Sequence, residues 1–227
     1  LFFLNNMVTI VRPRIYVKFL EFIRFMFNFD VLIIGGGVSG MQCALVLGSG
    51  LHKPFAKDKK VGIILHQRAS HLQNALFNNV LGVPSGKFGR DLLTEGKDQL
   101  TSMYPAISQI ENEKVIGVIK DNEGYQITTN KNTYFSKIVI IALNYAKPFS
   151  IKGLEPFVIP HKKTNLTKDR IQLINKDHLI QKGLYCCGTI AGWRSQYAIA
   201  AGSGASVATD ILTLWNDGNH TKIHDKR

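Results

Sequence analysis

The chain has 227 residues, 45% of them hydrophobic, with 20 glycines, three cysteines and a formal net charge of +12. That hydrophobic share supplies a buried core and excludes a disordered chain, while three cysteines without a CxxC pair exclude a disulfide framework and a cysteine-only zinc quartet. The basic excess is scattered (Lys57, Lys59 and Lys60; Lys162 and Lys163; Lys222, Lys226 and Arg227), with no element carrying it at groove-binding spacing, so nucleic acid is not an expected partner.

The first 29 residues are aromatic and basic, and Arg12, Pro13, Arg14, Lys18, Glu21 and Arg24 interrupt every apolar run. None of these runs approaches the ~20 apolar residues of a membrane span, and the charges are wrongly placed for a signal peptide. Met26 lies four residues ahead of Asp30 and reads as the natural start, leaving 1–25 as an extension outside the fold. A basic interfacial helix is the competing reading of that segment. Free thiols are the default in a reducing cytoplasm, the expected location.

From Asp30 the pattern turns regular. DVLIIG (Asp30 to Gly35) is a continuous apolar run of the kind a parallel strand buried on both faces requires. Helix formers follow in MQCALVL, and VGIIL (Val61 to Leu65) is a second buried strand, closing a β-α-β unit within about thirty-five residues. GKFGRDLLTEGKDQLTSMYP predicts a loop and a helix stopped by Pro105. KVIGVIKD and GYQITTNKNTYF alternate with period two and predict an antiparallel meander. KIVIIAL (Lys137 to Leu143) is another buried strand, Asn144 to Lys182 is polar and weakly patterned, and GLYCCG (Gly183 to Gly188) is the last strand. A helix follows from about Ser195 to Trp215, with Ala200, Gly204, Val207, Ile211 and Leu214 on one stripe. The sum is an α/β chain: one Rossmann-like dinucleotide-binding domain over 26–216, a parallel sheet with an antiparallel meander, and a polar tail over 217–227.

GGGVSG (Gly35 to Gly40) fits G-x-G-x-x-G directly after a buried strand and at the opening of a helix. Gly35 permits the tight turn, Gly37 lets a pyrophosphate approach the backbone, and Gly40 lets helix and strand pack closely. The pyrophosphate would rest on the helix N-terminus, beside Val38 and Ser39. At the end of the second strand, where such folds keep an acidic residue for the adenosine ribose, the chain has His66 and Gln67.

FDVLIIGGGVSGMQCALVLG resembles the N-terminal FAD-binding segment of the thioredoxin-reductase-like flavoproteins, and GLYCCGTIAGWRSQYAIAAGSGASVATDIL resembles their closing FAD segment. NYAKPFSIKGLE is similar to the link after their alanine-threonine-glycine turn. The resemblance covers about 29–155 and 183–216, and looks closest to short bacterial FAD-dependent oxidoreductases. It implies that Gly35, Gly37, Ser39 and Gly40 face the pyrophosphate, and that Asn79 lies close to the flavin. It also implies that Gly188 and Thr189 form the flavin-facing turn, with Gln196 and Tyr197 at the flavin pyrimidine edge. Three departures stand out. Thr189 replaces the turn aspartate, and Ala142-Leu143-Asn144 replaces alanine-threonine-glycine, where asparagine would tolerate positive φ. The third is the missing second nucleotide domain, since Asn144 to Gly188 is about forty-five residues where such a domain needs roughly twice that.

The family's CxxC is absent too, so its disulfide-reductase reaction does not carry over. The resemblance leaves an FAD-dependent oxidoreductase fed by diffusible NAD(P)H, a small-molecule substrate or a protein redox partner. A homodimer stays open, as does a non-enzymatic flavin-binding redox partner or sensor, or a degenerate flavoprotein. Cys186 and Cys187 lie in one strand and point to opposite faces, which reads as packing and not as a thiol site. Cys43 reads the same way. His220 and His224 fall in the tail, where disorder is the expectation over metal. Trp193 and Arg194 occupy a loop where either a stacking substrate or plain packing fits.

Overall fold

The computed structural model describes residues 28–66 and 71–225. The expected extension over 1–25, the proposed start at Met26 and the candidate residue Gln67 lie outside these.

Strand β1 (Asn28–Ile34) is the centre of the molecule. On one side it pairs in parallel with β2 (Val61–Leu65), Val31 opposite Val61 and Ile34 opposite Ile64. On the other it pairs in parallel with β8 (Thr133–Ile141), Asn28 opposite Phe135 and Ile34 opposite Ile141. Beyond β2 lies β5 (Ile107–Glu111), also parallel, to which the sequence pattern assigns no element. Beyond β8 lie β12 (Leu184–Cys186) in parallel and β11 (Leu179–Gln181) in antiparallel, giving the order β11-β12-β8-β1-β2-β5.

The meander is present: β6 (Val115–Asp121) pairs with β7 (Gly124–Thr129), and β7 pairs with the first half of β8. One correction follows. NTYF and KIVIIAL are not two strands but one nine-residue strand. Its outer edge serves β7 over Thr133 to Ser136 and β12 over Val139 to Ile141. The short ladders β3 (Leu76–Phe77) with β4 (Lys87–Phe88), and β9 (Val158–Pro160) with β10 (Ile171–Leu173), lie off the main sheet. The second of these and β11 organise the segment that sequence pattern leaves blank.

The period of two along β1 divides its side chains between two cores. Val31 and Ile33 join Leu47, Ile63, Ile140, Val207 and Ile211 under the helices α1 (Val38–Gly50) and α3 (Tyr197–Trp215). Leu32 and Ile34 join Ile64, Ile127, Val139, Ile141, Leu154 and Leu184 under the meander and the β9–β10 ladder. Both faces of the parallel strands are thereby dry, and each such buried side chain contributes roughly 1.5–3 kcal/mol. Helix α2 (Gly89–Met103) completes the helical side with Leu93 and Leu100 buried.

Helix α3 differs from its expected stripe at one end. Val207, Ala208, Ile211 and Leu212 are buried, whereas Leu214 is 56% exposed. The contact face turns because α3 packs along α1, where Gly204 sits over the Ser39 backbone carbonyl. By length and composition α3 is the one helix among the described residues apolar enough to cross a membrane, and here Val207, Ala208, Ile211 and Leu212 of it pack into the helical core. The tail is corrected as well. Thr221 is buried, Ile223 packs against the helical core, and the Asp225 carboxylate accepts from Ser49 Oγ at 2.6 Å and Tyr104 Oη at 2.5 Å. No group of three or more metal-ligating side chains occurs among the described residues, His220 and His224 included.

Candidate functional site

A cleft of about 500 Å³ opens at the C-terminal ends of β1, β2 and β8. This is where the chain leaves β1 toward β2 on one side and returns through β8 on the other, the topological switch point of an open parallel sheet. Its floor is the turn after β1. Gly35 holds φ +115°, which a side chain would strain, and a Cβ there would fall 2.5 Å from the Ala142 carbonyl oxygen. Gly40 lies so close to the same turn that a Cβ would be 1.9 Å from the Gly35 carbonyl oxygen. Gly37 differs from both: a Cβ there would meet nothing within 4 Å, because the position faces the open cleft.

Gly37 is also the N-cap of α1, which has no side-chain cap and no acidic residue in its first turn. Helix α3 starts the same way, after Gln196, again with neither a side-chain cap nor an acid. Gly37, Val38 and Ser39 from one helix start and Ser195, Gln196 and Tyr197 from the other line the same cleft. Uncapped N–H groups and the positive ends of two helix dipoles therefore converge on one space, an arrangement that favours anionic ligand groups. Much of the remaining wall is apolar, with Leu72, Phe77, Val115, Phe149 and Ile151, and Phe77 meets Tyr197 edge to face at 5.1 Å between ring centroids. Anion-binding ends and flat apolar walls in one cleft suit a ligand that is part phosphate and part aromatic.

Behind the cleft the turn Gly188–Ala191 is held by a chain of side chains. Gly188 N donates to Ser203 Oγ at 2.8 Å, and Ser203 Oγ lies 2.9 Å from His178 Nε2. Trp193 Nε1 donates to the same nitrogen at 3.0 Å. An indole N–H can only donate, so His178 Nε2 is the acceptor and its ring is neutral. Burial lowers the His178 pKa, and the carboxylates of Asp210 and Asp177 oppose that shift. Trp193 is stacked on His178 on one side, and the Lys163 ammonium lies 4.2 Å from its ring centroid. Trp193 is thus held by His178 while 39% exposed.

The adjacent cysteines behave as strand geometry predicts. Cys186 enters the core under the meander, while Cys187 enters the helical core with Cys43. All three thiols are fully buried, and burial raises the pKa of each, that of Cys187 to about 12. A thiol-reactive chromophore such as Ellman's reagent is expected to label none of them in the native protein and all three in denaturant. Rapid native labelling of even one would overturn the assignment.

Of the residues expected to form the site, Gly35, Gly37, Val38, Ser39, His66, Thr189, Gln196 and Tyr197 line the cleft. Gly40 and Gly188 stand behind its wall, shaping it from the back. Asn79 is exposed in the loop after β3 and is not among the cleft-lining residues; its neighbour Asn78 is the one that closes that loop, accepting from Gly86 N at 2.8 Å. Asn144 does line the cleft but without the positive φ expected of it, its side-chain oxygen accepting from Ala146 N at 3.0 Å instead. Sequence reasoning misses Glu113, Lys114 and Val115, which line the cleft beyond β5, since without β5 nothing marks them as lying at a strand end. It also misses His178 and Ser203, which are 25 positions apart and carry no spacing signal.

No protein-family model matches the chain, and no curated protein matches it in sequence. Solved structures do match it in shape. A thioredoxin reductase from Gloeobacter violaceus superposes with a TM-score of 0.68 at 14% identity, over 88% of this chain and 99% of that one. An oxidoreductase from Agrobacterium tumefaciens gives 0.64 at 12%, over 82% and 98%. A ferredoxin-flavin thioredoxin reductase from Clostridium acetobutylicum gives 0.61 at 16%, over 84% and 98%. The chain shares the fold of these structures, a Rossmann-type α/β architecture.

Proposed function

We propose that the cleft binds FAD in an extended form and that the protein is an FAD-dependent oxidoreductase. The observation that carries this reading is the convergence of two uncapped helix N-termini, those of α1 and α3, on one cleft at the switch point of the sheet. The residues fit the group. The start of α1, with Gly37 bare toward the cleft, would take the pyrophosphate, and the start of α3 would face the anionic edge of a reduced flavin. Phe77, Phe149 and Ile151 would exclude water from the ring system. When bound, the flavin supplies hydride and electron transfer; the protein's part is to hold, orient and dry it.

Electrons would come from diffusible NAD(P)H or from a protein redox partner, because among the described residues the connection from β8 to β12 carries the β9–β10 ladder, β11 and two short 3-10 turns, with no second β-α-β unit. The acceptor would be a small molecule or a protein, and not the chain's own thiols, which are all buried, Cys186 on one side of the sheet and Cys43 with Cys187 on the other.

The test is optical. Purified protein, or apoprotein mixed with FAD, is expected to show a bound-flavin spectrum and to release FAD on heating. Anaerobic mixing with NADPH or NADH is expected to bleach it, and persistence of the colour would assign the donor role to a partner protein. A colourless protein that cannot be reconstituted would overturn the proposal.

A further inference from the structure

The end of β2 lacks the carboxylate that a dinucleotide fold uses to hold the adenosine ribose, offering His66 instead. The neighbouring strand supplies one. β5 runs parallel to β2 with Glu111 opposite Leu65, so the chain just past Glu111 emerges beside the end of β2. Glu113 is two residues on. It is 6% exposed, yet it lines the same cleft as His66.

The environment of Glu113 is built for a fixed anion. Its Oε2 accepts from Thr129 Oγ1 at 2.6 Å, and its Oε1 accepts from Asn132 Nδ2 at 2.7 Å and Tyr134 Oη at 2.8 Å. The adjoining Lys114 N donates to Asn130 Oδ1 at 2.7 Å, tying the segment to the β7–β8 turn. Burial works to raise the Glu113 pKa, but the three hydrogen bonds outweigh it and hold the group below the ordinary carboxylate value. Tyr134 is pushed up to about 12 by burial and by the carboxylate, so it stays a phenol and a donor. A carboxylate offers about four acceptor positions, and these three bonds leave one unused.

We infer that Glu113 is the adenosine-recognising carboxylate of this protein, transferred from the end of β2 to the end of β5, and that it accepts a hydrogen bond from the ribose hydroxyls or the purine amine. The inference rests on the FAD reading above. The alternative is that Glu113 only staples the β7–β8 hairpin, all three of its donors coming from that hairpin.

Binding of FAD, AMP and IMP to the full-length apoprotein separates these. Glu113→Gln keeps the size of the side chain and loses its charge, and is expected to weaken FAD and AMP by about tenfold or more. Ile127→Val loosens the same hairpin from its core side without removing a partner of Glu113, and is expected to lower Tm with FAD affinity retained. If Glu113→Gln weakens AMP and spares IMP, the contact is to the purine amine; equal losses place it on the ribose. Wild-type FAD affinity in Glu113→Gln, or equal FAD losses in both variants, would overturn the inference and leave FAD binding standing. A wild-type protein that binds neither FAD nor AMP would overturn both.

Discussion

Alanine at Gly40 is expected to lower Tm by about 6–12 °C, while alanine at Gly37 leaves Tm near wild type and removes the anion site. The two positions stand three residues apart in one motif, and intrinsic helix propensity favours alanine over glycine by up to about 1 kcal/mol within a helix. At Gly40 that gain is overruled. The new Cβ would fall 1.9 Å from the Gly35 carbonyl oxygen and 3.0 Å from the Ala142 Cβ, and neither the strand turn nor the helix start can retreat without opening the core. Overpacking of this kind costs about 3 kcal/mol, which converts to the Tm shift given for a domain of this size. At Gly37 the backbone sits at φ −75° and ψ −175°, which alanine adopts freely, and the methyl group enters empty cleft. The cost there falls on FAD affinity, expected to drop at least about tenfold through lost backbone approach to the pyrophosphate. Thermal melts and FAD titration of the two variants check both halves. An unchanged melt for Gly40→Ala would mean the turn is looser than its geometry shows.

Acidification below pH 6.5 is expected to destabilise the protein through His178 and His161. Burial is the first cause of a lowered pKa at both. At His178 the nearby Asp210 and Asp177 work against the shift; at His161 the Lys163 and Arg194 charges add to it, while the Trp193 and Thr189 carbonyls oppose it. Since the folded pKa lies below the unfolded one, the unfolded chain binds more protons between the two values, and stability rises with pH there. The contribution is whole above the unfolded pKa and is lost as pH falls toward the folded one, with a ceiling of about 1.4 kcal/mol per pH unit for one histidine.

Protonation of His178 also turns its Nε2 from acceptor to donor. The Trp193 indole, which can only donate, must then leave, while Ser203 Oγ still accepts from Gly188 N and can accept from the protonated ring. His178→Asn, at a φ of +71° that asparagine tolerates, is expected to be less stable at pH 7.5 and to lose less on going to pH 5.5. Asp210 carries a raised pKa from burial, opposed by the His178 charge, and titrates with the opposite sign at lower pH. Parallel pH dependence of the two proteins would remove His178 from this role.

Residues 30–40 and 61–65 carried most of the architecture in plain view. A continuous β-branched run fits only a strand dry on both faces, and a glycine fingerprint placed after it fits only a strand-to-helix turn, so fold class, sheet centre and cleft floor follow from local chemistry. The two cysteines were legible for the same reason, since a period of two sends neighbours to opposite faces whatever surrounds them. ISQIE was not legible as β5, because its outer position leaves Ser108 and Glu111 exposed and erases the apolar run that marked the inner strands.

Tertiary structure alone decided the rest. Glu113 reaches the cleft because β5 pairs with β2, and its charge is set by Thr129, Asn132 and Tyr134 from a hairpin formed later in the chain. His178 meets Ser203 and Trp193 only once β12 has docked and α3 has packed on α1. Asp225 folds back to Ser49 across 176 positions. Periodicity and turn chemistry act between near neighbours and are written in the sequence at fixed spacings; hydrogen bonds between distant side chains have no spacing to be written in, and exist only after the sheet has chosen its order.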